Sequence, residues 1–228
     1  MSRLSASATV WAVPATPRDR APGFHHVWVN ATGNWAYFLD DIDRMTWLRR
    51  LIVTLGRFGW RCIAFCLMTT HVHLLLLIED ESLPEGMRDL NREYSKDFNA
   101  RHERAGSFLR KRYGSRRVEG RRDLLDTYAY VVLNPVKEGL CERAEEWRWN
   151  SYATTIGLAN DFPFVDVEPL LAELGSTLEE ARATLSEFVA AQAEGHVRRR
   201  HVRYQVPDVS GWDESRRPGA SAGPSSTP

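Results

Sequence analysis

The pattern of this chain predicts an α+β domain: an antiparallel sheet with a central hairpin and helices packed on one face. Three observations carry that expectation. Residues 62–78 are apolar on both sides of a Thr69-Thr70 break, which is two buried strands joined by a tight turn. The segments that flank this run repeat apolar residues at helical spacing. The whole order then reads strand, helix, strand, strand, helix, strand, helix, which is the order of a ferredoxin-like split unit.

Residues 1–22, rich in Ser, Ala and Thr and carrying Pro14, Pro17 and Pro22, are expected to form a disordered leader. Residues 24–30 (FHHVWVN) alternate and predict the first strand. His25 and His26 within it are candidate extra ligands. Adjacent strand residues face opposite sides, so at most one joins a site, and neither is favoured. Gly33-Asn34 marks a turn. Asp40, Asp41 and Asp43 open a helix, where acidic side chains suit the positive end. Met45, Leu48, Leu51, Ile52 and Leu55 form its core face, and Gly56 and Gly59 end it.

Leu83-Pro84 starts a second helix running to about Arg104. Met87, Leu90, Tyr94 and Phe98 are its apolar stripe; Arg88, Arg92, Lys96 and Arg101 are its polar side. A short strand is expected near 115–119. Asp123 then caps a helix with Leu124, Tyr128 and Val131 along one stripe and Asn134-Pro135 at its end. Residues 136–152, with Trp147, Trp149 and Tyr152, read as irregular chain covering the domain. A helix over about 178–191 follows, with Ala181, Leu185, Phe188 and Val189 apolar, and then a basic tail with Arg198, Arg199, Arg200 and Arg203.

At 228 residues the chain is one domain, or one domain with an appendage, and 43% hydrophobic content is ample for a core. Its three cysteines are an odd number with no CxxC spacing, so neither a disulfide framework nor a cysteine metal site is expected, and a reducing, cytoplasmic setting fits. The N-terminus carries Arg3 but no apolar segment of a signal peptide. No run reaches the roughly 18 apolar residues that would span a membrane.

Net charge is zero, yet it is not evenly spread. Ten basic residues (Lys96, Arg101, Arg104, Arg110, Lys111, Arg112, Arg116, Arg117, Arg121, Arg122) face three acidic ones (Asp97, Glu103, Glu119) over residues 96–122, an excess of 10 − 3 = 7 positive charges. Phe98, Phe108 and Tyr113 interleave. Such clustering is the footprint of phosphate-backbone contact with base stacking, and equally of a solvated basic helix face. Lys96, Arg110, Lys111, Arg112, Arg116 and Arg117 are the candidate DNA contacts.

His71 and His73 open the second strand of the hairpin. Residues two apart on a strand share a face, so these imidazoles project together while Val72, Leu74 and Leu76 face the other way. Two imidazoles on a rigid strand suit a divalent metal; a satisfied core histidine beside a surface one is the plainer alternative. Tyr130 and Asn134, four apart, lie on one helix face. Pro135 disfavours helical geometry at Asn134 and so places its amide at the helix end. Two imidazoles and an amide oxygen would leave positions open for phosphate oxygens.

Residues 67–75 (LMTTHVHLL), followed about 55 residues later by residues 130–140 (YVVLNPVKEGL), resemble the REP-associated tyrosine transposases, a branch of the single-tyrosine HUH transposases. Phe58-Gly59-Trp60, Arg112-Tyr113 and residues 146–152 (EWRWNSY) extend the resemblance over roughly residues 23–157. Thr69-Thr70 stands where the family usually has Pro-Asn, and Asn150-Ser151 where Ser-Ser is common. The resemblance implies a metal-dependent, transposase-like endonuclease and strand transferase acting on single-stranded, hairpin or repeat DNA. In it His71, His73 and Asn134 hold Mg²⁺ or Mn²⁺, and Tyr130 attacks the phosphate to give a 5′-phosphotyrosine and a free 3′-hydroxyl. Tyr128, about 200° round the helix from Tyr130, reads as core.

On this reading residues 1–22 are leader, 23–157 the catalytic domain, 158–205 a helical and basic extension, and 206–228 a disordered tail. Monomer and homodimer both remain open. Two alternatives stand beside the leading one: a DNA-binding protein that has lost catalysis, and a metal-dependent nuclease that activates water.

Overall fold

The structure, a computed structural model, describes residues 21–32, 36–106, 109 and 113–197, with side chains to residue 194. Residues 1–20, the Gly33-Asn34 turn, Phe108, Arg110, Lys111, Arg112, the tail from Arg198 and residues 206–228 lie outside the described residues.

The chain folds as β1 (Gly23–Asn30), α1 (Asp41–Phe58), β2 (Arg61–Leu67), β3 (His71–Ile78), α2 (Leu83–Arg101), β4 (Gly114–Val118) and α3 (Gly120–Val132). The four strands form one antiparallel sheet in the order β2-β3-β1-β4. That is the predicted α+β class, with the split-unit element order. Among the described residues no helix is long and apolar enough to cross a membrane.

Capping explains where α1 lies. The Asp40 carboxylate accepts from the backbone N–H groups of Ile42 (2.9 Å) and Asp43 (3.1 Å), satisfying donors that the first turn cannot use. Gly59, at φ 67°, closes the other end and donates to the Leu55 carbonyl. Gly56 lies inside the helix rather than ending it. The buried side is Trp47, Leu48, Leu51, Thr54 and Leu55; Met45 and Ile52, expected in the core, are exposed, because the face centred on Trp47 and Leu51 turns them outward. Helix α2 ends at Arg101, three residues earlier than expected, and its stripe of Met87, Leu90, Tyr94 and Phe98 is buried as predicted. Helix α3 starts before Asp123, whose carboxylate instead reaches back to accept from the Glu119 N–H at 3.0 Å.

Helices lie on both faces of the sheet, not one. Helices α1 and α2 pack on Val27, Val29, Val72, Leu74 and Leu76. On the opposite face Ile63, Cys66 and Leu75 meet Leu124, Tyr128, Val131 and Val132 of α3. The continuous run Leu74, Leu75, Leu76 and Leu77 is the physical reason: strand side chains alternate, so an unbroken apolar run needs cover on both sides.

Beyond α3 come α4 (Asn134–Lys137), α5 (Tyr152–Thr155), α6 (Glu168–Leu171) and α7 (Leu178–Val197). Ala181, Leu185 and Val189 of α7 join the core beside α3. The segment expected to be irregular cover is more ordered than that. The Leu67 N–H donates to the Trp149 carbonyl (2.9 Å), the Ser151 N–H to the Phe65 carbonyl (3.1 Å), and the Trp147 indole N–H to the Leu67 carbonyl (3.1 Å). It therefore satisfies the free edge of β2, which would otherwise offer unpaired backbone groups. The Asn150 amide donates to the Val132 carbonyl at 2.7 Å, tying that edge to the end of α3.

Candidate active site

The site forms where β3, β1 and the end of α3 meet, and the hairpin turn sets its floor. The Met68 N–H donates to the His71 carbonyl (2.8 Å), closing the turn around Thr69 and Thr70. The Tyr37 and Ala31 N–H groups then bind the Thr69 (2.7 Å) and Thr70 (3.1 Å) carbonyls, so the turn is pinned from both sides. Thr69-Thr70 is thus a rigid lead into β3. From it His71 and His73 project to the α3 face, their ring centres 5.0 Å apart.

Nδ1 of each histidine is engaged. Nδ1 of His71 lies 3.0 Å from the Thr70 hydroxyl, and Nδ1 of His73 lies 3.0 Å from Nε2 of His26. Burial pushes the His73 imidazole down to about 2, with the neighbouring His71, His26 and Lys137 adding to the effect. Burial likewise lowers His71, partly offset by Glu138, whose carboxylate lies 3.9 Å from Nε2, and by a hydrogen bond that the ring donates to Asn134. Burial thus favours the neutral form of both rings, the form in which an imidazole ligates a metal.

Asn134 stands at the junction of α3 and α4, where the backbone leaves α3 through Leu133 (φ −87°, ψ 0°). Its Nδ2 donates to the Tyr130 carbonyl at 2.9 Å, which leaves Oδ1 as the acceptor the amide offers the His71 ring. Among the described residues no group of three or more His, Cys, Asp or Glu forms a cation site. A metal here would rest on two imidazole nitrogens and one amide oxygen. That donor set, with both Nδ1 atoms tied back to the protein, fits a divalent ion that keeps open positions.

Tyr130 is 43% exposed, whereas Tyr128, two residues earlier, is fully buried as the helical spacing predicted. The Tyr130 ring stands edge-on to His73 at 5.4 Å and 89°, and to His26 at 5.5 Å and 69°. Lys137 places Nζ 3.9 Å from the Tyr130 ring centre, and burial pushes its amine down to about 8. Tyr130, His71, His73 and Asn134 are thus brought together, the grouping that the family resemblance implied and that spacing alone left as one pairing among many.

Of the described candidate DNA contacts, Arg116 comes beside the site, opposite His26 in the pairing of β1 with β4. Arg116 is on β4 and binds Asp123 at 2.6 Å and the Thr127 hydroxyl at 2.7 Å. Arg117 lies 3.7 Å from Glu119. Lys96 pairs with Glu93 at 3.0 Å on α2, which packs on the sheet face opposite the histidines. Arg110, Lys111 and Arg112 lie outside the described residues.

Of two further residues at the site, Lys137 had no role in the sequence reading, and His26 was one of two candidate ligands with neither favoured. Lys137 falls one turn beyond Asn134, and only the bend at Leu133 swings it over Tyr130. His26 needed the strand register: β1 pairs with β3 so that Trp28 lies opposite His73, which puts His26 and Trp28 on the histidine face and His25 on the other. Strand alternation alone restricted the choice to one of the two histidines. It left open which one.

Among solved structures, the chain matches one described as a REP-associated tyrosine transposase bound to a REP hairpin. The TM-score is 0.58 at 14% identity, covering 68% of this chain and 93% of that one. The two share a fold. No family model matches this sequence, and no curated protein does.

Proposed function

We propose that this protein is a transposase-like enzyme that nicks and rejoins single-stranded or hairpin DNA through Tyr130. The observation that carries the reading is the convergence of an exposed tyrosine on the histidine pair: Tyr130 lies edge-on to His73 at 5.4 Å, with Asn134 linking its backbone to His71. The shared fold with a tyrosine transposase seen with a REP hairpin adds to it.

In this mechanism the phenolic oxygen of Tyr130 attacks a backbone phosphorus. The phenol releases its proton to solvent as an O–P bond to Tyr130 forms, the bond to the 3′ oxygen breaks, and the departing strand takes up a proton from solvent as a 3′-hydroxyl. Attack by a 3′-hydroxyl on the phosphotyrosine reverses the step and joins strands. His71 and His73 through Nε2, and Asn134 through Oδ1, would hold Mg²⁺ or Mn²⁺, which supplies Lewis-acid polarisation of the phosphate when bound. Lys137 stands beside the nucleophile as a cation for the phosphate's charge. Helix α3, fixed to the β2 edge by Asn150, keeps the tyrosine in place during both steps.

The test incubates the protein with labelled hairpin oligonucleotides from repeats flanking its gene, with Mn²⁺ or Mg²⁺, followed by a denaturing gel. A covalent adduct that disappears in Tyr130→Phe and in His71→Ala is the expected result. Cleavage without adduct in Tyr130→Phe would establish a water-activating nuclease instead. Binding without cleavage in either metal would leave a DNA-binding protein.

A further inference from the structure

His26 is the one ring of the cluster to which the chemistry above gives no task, and its placement is specific. Its Nε2 lies 3.0 Å from Nδ1 of His73, and the two rings stack at 5.2 Å with a 25° tilt. Both residues are buried, at 8% and 5% exposure. Trp28 packs against the His26 ring at 5.2 Å, and the Tyr130 ring closes the other approach at 5.5 Å. Trp28 is itself seated on Gly114, where a Cβ would come within 2.0 Å of the indole. His26 is therefore held from three sides.

That contact bears on a choice every imidazole ligand must make. A histidine that offers the Nε2 lone pair carries its proton on Nδ1, and the partner of Nδ1 decides whether that tautomer is favoured. Thr70 provides such a partner for His71. His26 provides the corresponding one for His73, and with its Nε2 engaged there it is not a ligand through that atom. We propose that His26 is a positioning residue that holds His73 in its Nδ1-protonated tautomer and so aims the His73 Nε2 lone pair at a divalent cation. This rests on the reading that His71, His73 and Asn134 hold that cation. By its contact with Tyr130, the same ring ties ligand geometry to nucleophile geometry.

Two measurements on the full chain test it. Mn²⁺ is titrated into the metal-free protein and the free ion followed by electron paramagnetic resonance. Separately, the nitrogen shifts of ¹⁵N-histidine report the His73 tautomer without metal. His26→Leu is expected to weaken Mn²⁺ binding about 10–100-fold, the usual effect of removing such a partner, and to leave His73 a mixture of tautomers. His26→Gln keeps an acceptor and is expected to recover most of both. Unchanged affinity and an unchanged tautomer in His26→Leu would overturn the proposal. If His26→Leu does not fold, a wild-type His73 protonated on Nε2 overturns it equally. Mn²⁺ binding that is absent, or indifferent to His71→Ala, would instead sink the metal reading, and the nitrogen shifts would still decide the tautomer.

Discussion

The Lys137 ammonium nitrogen lies 3.9 Å from the centre of the Tyr130 ring, a cation over an aromatic face at the edge of the site. Burial lowers this amine from its ordinary 10.5 to about 8. A base that is harder to protonate in the fold opposes folding while it is charged. Below pH 8 both states hold the proton and the fold bears the full desolvation cost. Between 8 and 10.5 the unfolded chain holds a proton that the fold has released, so stability from this group rises with pH. Lys137→Met is therefore expected to be more stable than the wild type at pH 7, with the gap closing through that window. Denaturant midpoints of the two proteins at several pH values measure it, and a constant gap would contradict it.

The two tyrosines of α3 should separate cleanly by phenotype. Tyr130→Phe is expected to keep the wild-type stability, since the side chain is 43% exposed, and to form no DNA adduct. Tyr128→Ala removes a fully buried ring and is expected to cost about 3–5 kcal/mol. Tyr128→Phe should retain the adduct. An adduct in Tyr130→Phe that vanishes in Tyr128→Phe would reverse the assignment.

Gly114 has no room for a side chain. An added Cβ would lie 2.0 Å from the Trp28 indole, and that ring packs against His26. Gly114→Ala is expected to destabilise the protein by roughly 1–3 kcal/mol, as overpacked sites do, and to lower nicking more than a surface change of equal stability cost. Thermal unfolding together with the gel assay reads both effects.

Arg101, part of the basic cluster in sequence, serves the fold. Its guanidinium binds Asp43 at 2.5 Å and also Asp40, clamping the start of α1 to the end of α2. His102 adds a contact to Asp43 at 2.9 Å. Asp43 is 1% exposed, so Arg101→Leu strands a buried carboxylate. The expected loss is roughly 2–4 kcal/mol, below that of a fully buried pair because the arginine side chain keeps 32% exposure. Equilibrium urea unfolding gives the number. No change in stability would return Arg101 to the list of free cations.

The helical stripe of α2 and the hairpin were legible because each is a local pattern with a strong period. So were the paired histidines and the i, i+4 spacing of Tyr130 and Asn134, which depend only on strand and helix geometry. Met45 and Ile52 fall outside the inward face of α1, since its stripe of apolar residues is wider than the strip the sheet covers. Arg116 and Lys96 have acidic partners, Asp123 and Glu93, that fall just outside residues 96–122 and so escape a charge count over that window.

What the sequence determined by itself was the element order, the antiparallel class, and that His71 shares a strand face with His73 and Tyr130 a helix face with Asn134. All follow from periodicity or from spacing within one element; joining the two pairs into one site came from the family resemblance. The tertiary structure alone decided that α3 covers the face opposite α1 and α2, that His26 rather than His25 meets His73, and that Lys137 lies over Tyr130. Each of these depends on strand register and on which face a helix crosses. Those choices are set by pairings between residues tens of positions apart, as between His26 and His73, and no local pattern carries them.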